Sequence, residues 1–416
     1  MSHLYEPFKP GDDAFGRLRT SEPYTLGDYK HLYAIDQDFL DVEVGVGATI
    51  IFDRDRAGAI LNSGISTNGL CIHQTKRYHH YMPGKSQLIY SSFTFGEAQQ
   101  NVSKRTGYFD DRDGIFFEQA PNGTLNFVIR SFTSGSAVDR KVPQTEWNKD
   151  RLDGNGPSGF TLDITKSQLF FTDFEWLGVG RVRCGFSMDG RNIICHEFYN
   201  SNNLDTVYMS NPNLPVRCEV RNTGTQVGAG GSFLQICSTV MSEGGYSEAG
   251  REFSHATPLR TVGIGTTVPV LAIRLKNSFK GYPNRATIRL EDISLISVGS
   301  NIKYEVVKIE NQTGFVGLGT WISENDESVV EYNETAIGIS NAPFEDFMGG
   351  YASGDSQNVN KPTTTGSQTQ MGPSSKKNFL SQNFDSTESE VFSVRVTNLG
   401  SNSTSVGVAL RWREIY

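Results

Sequence analysis

The sequence lacks the long Leu-, Ala-, Glu- and Lys-rich periodic segments that mark helices, and no apolar run approaches the ~18 residues needed to span a bilayer. A helical fold and insertion into a membrane are therefore not expected. Positive charge is also scarce: Lys plus Arg number 38 against 46 Asp plus Glu, a net charge of -8 over 416 residues. Nucleic acids and anionic membranes select a positive surface, so neither is an expected partner. Cysteine is sparse, with Cys71, Cys184, Cys195, Cys218 and Cys237 all before residue 240. The stretch from Met1 to Pro7 has neither a basic n-region nor an apolar h-region. An odd cysteine count in such a chain reads as free buried thiols in a protein made and kept in a cytoplasm, not as a disulfide framework.

What is plentiful is glycine and aromatics: 43 Gly, 26 Phe and 16 Tyr against 15 Pro, a composition of strands and tight turns. The length predicts roughly two domains, each with material for a core. Strand-like runs recur at short intervals, among them Ala48 to Phe52, Gln87 to Phe95, Leu125 to Arg130 and Ser232 to Val240. Many short strands without helical spacers predict an all-β sandwich or jelly roll over residues 31–245, preceded by an extended arm at 1–30. Residues 241–255 are Gly-rich and polar and read as a linker. A second β pattern then fills 256–416 and closes with Glu390 to Asn398 and Ser405 to Trp412, a further β-sandwich. Its interior holds a polar loop at 352–378, a composition that ordinarily does not fold by itself.

One hairpin is legible residue by residue. Arg181 to Met188 meets Asp189-Gly190 and returns as Arg191 to Phe198. Asp-Gly is a preferred two-residue turn because both central positions need positive φ. Val182, Cys184, Phe186 and Met188 then share the core face. The turn fixes the register, so Phe186 is expected opposite Ile193 and Cys184 opposite Cys195, as neighbouring reduced thiols.

The search for chemistry returns turns and surfaces. Pro83-Gly84-Lys85-Ser86 ends like a phosphate-binding loop, but His79 stands where the motif needs its first glycine, and the segment leads into a strand. Cys71, His73, His79 and His80 match no usual zinc spacing, and adjacent strand residues face opposite ways, so they read as strand surface rather than a metal site. Asp110 to Gly114 lacks the ladder of a calcium loop and reads as a turn. Asp173-Phe174-Glu175-Trp176 echoes a strand on which alternate acids hydrolyse glycosidic bonds, but Phe171 replaces the first acid, so Asp173 and Glu175 are expected to face solvent. Gly-x-Ser-x-Gly is absent. No catalytic residue, metal or cofactor is expected. Between Lys308 and Lys361 there is no basic residue, while Glu310, Glu324, Asp326, Glu327, Glu331, Glu334, Glu345, Asp346 and Asp355 accumulate. That run reads as a solvated acidic face, with a docking face for a basic partner or weak calcium sites as alternatives.

The N-terminal stretch Asp13 to Tyr29 carries more apolar mass than a solvated arm needs. Phe15, Leu18, Tyr24, Leu26 and Tyr29 are spread among Arg17 and Arg19 with neither helical nor strand spacing. It is expected to act as an assembly arm, with Phe15, Leu18 and Tyr24 buried against something outside residues 31–240 of their own chain; local docking is the alternative.

The run from Asp13 through Arg17, Leu18, Arg19 and Tyr24 to Leu26 resembles the N-terminal signature of virion structural proteins of tailed bacteriophages, cyanophages and other marine phages among them. Further matches follow in order: Tyr81 to Gln87, Asp173 to Arg183, His196 to Phe198, Asn213 to Arg217 and Leu410 to Ile415. The resemblance implies a non-enzymatic building block with a lectin-like, concanavalin-like sandwich, assembled in the host cytoplasm and resident in the virion. Its implied partners are copies of itself and other virion structural proteins. A tail or baseplate position is expected ahead of capsid decoration. A carbohydrate- or receptor-binding module, touching a host surface glycan through aromatics such as Tyr78 and Tyr81, is the alternative reading.

Overall fold

Val182, Cys184 and Phe186 alternate with Arg183, Gly185 and Ser187, and this period of two puts apolar side chains on one face of a strand. The same alternation repeats through the chain and builds its sheets. The computed structural model describes residues 23–226, 228, 230–245, 250–340, 344–354 and 379–416. Two units result, Met1–Ser247 and Glu248–Tyr416, divided inside the Gly-rich stretch 241–255. The described residues contain two short 3-10 turns and no α-helix, and no helix is long and apolar enough to cross a membrane.

The first unit contains β1 (Tyr24–Lys30), β2 (Phe39–Val44), β3 (Ala48–Asp53), β4 (Gly58–Ser63), β5 (Leu70–Thr75), β6 (Ser86–Thr94), β7 (Val102–Phe109) and β8 (Gly114–Gln119). It continues with β9 (Leu125–Ser131), β10 (Val138–Pro143), β11 (Gln168–Phe174), β12 (Val182–Met188), β13 (Arg191–Phe198), β14 (Val216–Asn222) and β15 (Ser232–Glu243). Eight strands form one antiparallel sheet in the order β13-β12-β11-β6-β15-β4-β3, with β1 also on β15; seven form the other, β10-β9-β8-β7-β14-β5-β2. Strands remote in sequence lie side by side in both sheets, the mark of a jelly-roll sandwich of the concanavalin-like, lectin type. Between the sheets lies an aromatic core. Phe127 stacks on Trp147 at 4.2 Å, Phe95 on Phe117 at 5.6 Å, and Phe186 meets Phe117 edge-on at 5.1 Å. Burying each such ring stabilises the fold by roughly 2–3 kcal/mol.

The outer face of the seven-stranded sheet is closed by charge over rings. Arg105, Arg130 and Arg217 lie over the buried Phe109 and Phe116, and Arg105 pairs with both Glu118 and Glu219. The outer face of the eight-stranded sheet carries a cleft.

The second unit is also a sandwich. One sheet joins Arg251–Ala256 and Arg260–Val262 to Thr404–Ile415, then Thr287–Val298 and Phe379–Leu380. The other runs Ile322–Ser323, Val330–Asn333, Thr267–Leu275, Val391–Asn398, Ile302–Ile309, Phe344–Ala352. Ile288, Val306, Phe392, Leu410 and Trp412 fill the space between. Most of the polar loop 352–378, from residue 355 onward, lies outside the described residues.

Two expectations need correction here. Tyr24, Leu26 and Tyr29 do not belong to an extended arm. They form β1, antiparallel to β15 from Tyr24 opposite Ser242 to Lys30 opposite Cys237, with a bulge between Thr25 and Gly27. Leu26 and Tyr29 are buried in the first unit, and Tyr24 packs half-buried against its core. The cause is β15, which is 12 residues long but meets β4 only as far as Gln235. Beyond that its backbone groups need a partner, and β1 supplies it. Phe15, Arg17, Leu18 and Arg19 lie outside the described residues.

The hairpin turn forms as expected, with Asp189 at φ 49° and Gly190 at 72°, and Phe186 stands opposite Ile193. Cys184, however, stands opposite His196, because a bulge follows and leaves Cys195 as the extra residue. Both thiols are buried and free.

Candidate functional site

The register of the eight-stranded sheet sets out its outer face as rows. One row reads Asp28, Thr239, Tyr90, Phe171, Gly185, Ile194 across six strands. A second reads Lys30, Cys237, Ser92, Leu169, with Ser187 and Asn192 paired beyond it. Over these rows lies a cleft of about 1490 Å³, entirely within the first unit. Its floor mixes apolar and hydrogen-bonding groups: Tyr90, Leu169 and Ile194 with Ser187, Asn192 and Thr239.

Local packing fixes that floor. The Asn192 amide donates to the Tyr90 hydroxyl at 2.6 Å, and the Tyr90 and Phe171 rings lie 5.9 Å apart. A Cβ at Gly185 would stand 2.9 Å from the Phe171 ring and 2.0 Å from the Ile193 carbonyl oxygen, so only glycine lets Phe171 lie across β12. Cys237 is the one exposed cysteine, and the Ser92 hydroxyl accepts from its backbone N–H at 3.1 Å.

The far wall depends on the bulge. The Cys195 carbonyl accepts from both Lys149 N–H (3.0 Å) and Asp150 N–H (3.1 Å). Asn148 bonds the backbone of Glu197 twice, at 2.9 Å each, and so covers the edge of β13. Asp150 then holds the loop by accepting from Leu152 N–H at 2.9 Å and Ser158 N–H at 2.8 Å. Lys149, Asp150, Pro157 and Ser158 thereby form one side of the cleft, and His31 and Leu32 stand on another.

The third row of the same face is closed. Leu88, Asp173, Arg183 and Glu197 follow one another across the strands and are all buried. Asp173 is ion-paired with Arg183, and Glu197 with Lys149 (3.1 Å) and Arg181 (3.4 Å). Glu175 is fully buried and accepts from the Tyr81 hydroxyl at 3.3 Å. Asp173 and Glu175 were expected to face solvent; each instead has a cationic or hydroxyl partner that allows its burial. Tyr78 and Tyr81 are likewise buried and are not available to a ligand, Tyr81 because it packs against Phe174 and Trp176.

The expected histidine surface is interior as well. His73 stacks on Phe39 at 4.0 Å and pairs with Asp41, and His79 lies against Tyr29 and Tyr108. Among the described residues no three His, Cys, Asp or Glu side chains are grouped to hold a metal ion. Pro83-Gly84 forms a tight turn, with Lys85 N–H donating to the Met82 carbonyl at 3.1 Å and Gly84 at φ 84°. Asp110 caps the next turn by accepting from Arg112 and Asp113 N–H at 2.8 and 2.9 Å. The cleft residues Tyr90, Leu169, Asn192 and Ile194 were not singled out from sequence. Their signal was only their place on the face opposite the core residues of the same strands.

No family model matches the chain, and no curated protein matches it. Among solved structures it is similar to the Emp47p carbohydrate recognition domain, at 11% identity over 52% of this chain and 94% of that one, with a TM-score of 0.32. It is similar to a β-1,3-glucanase from Mycobacterium marinum at 12% identity, over 53% and 100% of the two chains, TM-score 0.35. A Bacillus licheniformis β-glucanase gives 9%, 53% and 98%, TM-score 0.32. At these values the likeness assigns neither a ligand nor an activity to this chain.

Proposed function

We propose that this protein is a non-enzymatic structural component of a tailed-phage virion, tail- or baseplate-associated, whose first sandwich holds a host-surface glycan in the cleft on its eight-stranded sheet. The virion reading rests on the motif resemblance of Asp13 to Leu26 and of Asp173 to Arg183. The glycan reading rests on one observation, a floor that sets the Tyr90 ring and the Leu169 and Ile194 side chains among the Ser187, Asn192 and Thr239 polar groups. A sugar ring presents an apolar C–H face and equatorial hydroxyls together, and such a floor meets both. The non-enzymatic reading is supported by the acids: Phe171 occupies the row of the floor where an acid would be needed, and Asp173 is paired with Arg183.

Glycan-array screening of the full chain, with Tyr90→Ala beside it, tests the glycan reading. Capture by the parent chain and loss in the variant are expected; no capture of any glycan would overturn it. Antibody labelling of intact particles tests the virion reading separately.

A further inference from the structure

In the second unit, the acidic run between Lys308 and Lys361 meets a histidine. His255 lies on the edge strand Arg251–Ala256, which among the described residues pairs with residues 409–414. Its Nδ1 is 2.8 Å from a Glu324 carboxylate oxygen, and its Nε2 is 2.7 Å from one of Glu334. The ring also stacks on Tyr332 at 3.7 Å. Glu324 and Glu334 directly follow the strands Ile322–Ser323 and Val330–Asn333 of the opposite sheet. An ionised carboxylate only accepts hydrogen bonds, so two such bonds need a proton on both ring nitrogens. A neutral imidazole would turn a lone pair toward one glutamate. The two acids approach different edges of the ring and do not converge on one point, so the arrangement is a tie and not a metal cage.

Besides its main-chain ladder to residues 409–414, the strand carries further charge pairs. Arg251 pairs with Glu327 at 3.0 Å and Glu252 with Arg413 at 2.6 Å, while Phe253 is half-buried against Trp412. The groups around His255 are Glu324, Glu334 and Tyr332 from the opposite sheet, Leu410 across the ladder, and Arg260. The Arg260 guanidinium donates to the carbonyls of Pro269 (2.9 Å) and Glu334 (3.1 Å). Arg411, next along the paired strand, is engaged by Asp292 at 2.6 Å. Of these side-chain types only histidine ordinarily changes charge between about pH 5 and pH 8.

We propose that His255 is a proton-operated clasp: its imidazolium ties the edge strand 251–256 to the opposite sheet through Glu324 and Glu334, and loss of the proton unties it from that sheet, leaving its ladder to residues 409–414 as its main hold.

Hydrogen exchange of the full chain, read as protection factors for peptides covering 251–256 between about pH 5 and pH 9, tests this alongside the NMR titration of the His255 ring proton. Protection is expected to fall at least about tenfold as the ring loses its proton. Glu324→Gln and Glu334→Gln are each expected to reduce protection at the acidic end, and His255→Gln to give low protection at every pH. Protection that stays constant while the ring titrates, a ring that does not titrate in this range, or an unchanged pH profile in His255→Gln would each overturn the clasp. Should His255→Gln fail to fold, the wild-type titration with the two glutamate variants decides.

Discussion

The hydroxyl of Tyr29 lies 2.8 Å from Nε2 of His79, and Nδ1 of the same ring lies 3.1 Å from the Leu214 carbonyl oxygen. A carbonyl only accepts, so the ring proton sits on Nδ1 and Tyr29 donates to Nε2. Both residues are buried, and the pair joins β1 to the segment that leads into β6. Tyr29→Phe leaves the imidazole acceptor buried without its donor. The expected cost to the first unit is about 1–3 kcal/mol, seen as a lower urea midpoint at unchanged slope. An unchanged midpoint would mean that this bond contributes nothing net.

Acid should unfold the first unit early. Burial, reinforced by the Arg77 charge, holds His79 down at about 3, and burial followed by Arg140 holds His196 at about 4. Burial lowers His31 and His80 as well. A histidine depressed in the fold binds its proton more readily when unfolded, so stability is complete above the unfolded value near 6.5 and is lost as pH falls below it. His79 alone should remove about 2 kcal/mol by pH 5. Urea midpoints at pH 7 and pH 5 measure this, and a midpoint that rises on acidification would contradict it.

Thiol chemistry should report on the cleft. Burial pushes Cys71 up to about 11, Cys184 and Cys218 up to about 12, and Cys195 well above its ordinary value. Only Cys237 is exposed, and it lies in the cleft. One thiol should react quickly in the native protein and five in denaturant. A glycan captured in the cleft should slow alkylation of that single thiol; equal rates with and without a bound glycan would place the sugar elsewhere.

Truncation separates β1 from the residues before it. Removing residues 1–30 strips Leu26 and Tyr29 from the first unit and opens β15 beyond Gln235, whereas removing 1–22 leaves that strand intact. The longer deletion should be less stable than the shorter by at least about 3 kcal/mol, judged from two buried side chains, and should aggregate through the opened edge. Equal thermal midpoints would show that β1 is dispensable.

The strands were legible in sequence because alternation and turn residues act locally: Asp189-Gly190 fixed its turn, and Phe186 found Ile193. What alternation does not encode is a bulge. The single extra residue at Cys195 follows from what packs beside it, so the Cys184 partner was misplaced by one. The irregular spacing of Tyr24, Leu26 and Tyr29 suggested an arm for the same reason, since the bulge between Thr25 and Gly27 breaks the period. Burial of Glu175, Tyr81 and the histidines is hidden because their partners, such as Tyr81 for Glu175, become neighbours only when segments remote in sequence meet, and Arg183 reaches Asp173 only once β11 and β12 pair in register. The cleft floor is illegible in sequence because one or two residues from each of five strands are too dilute a pattern to read.

The Cys195 bulge has a consequence for how this molecule can change. Its carbonyl holds the wall loop at Lys149 and Asp150 without using any side chain. Substitutions at wall positions such as Pro157 and Ser158 can therefore reshape the mouth of the cleft while its tether stays in place. Deleting one residue from β13 would instead shift its register and cut that tether. The mouth of the cleft and the sandwich behind it are thus exposed to different mutations.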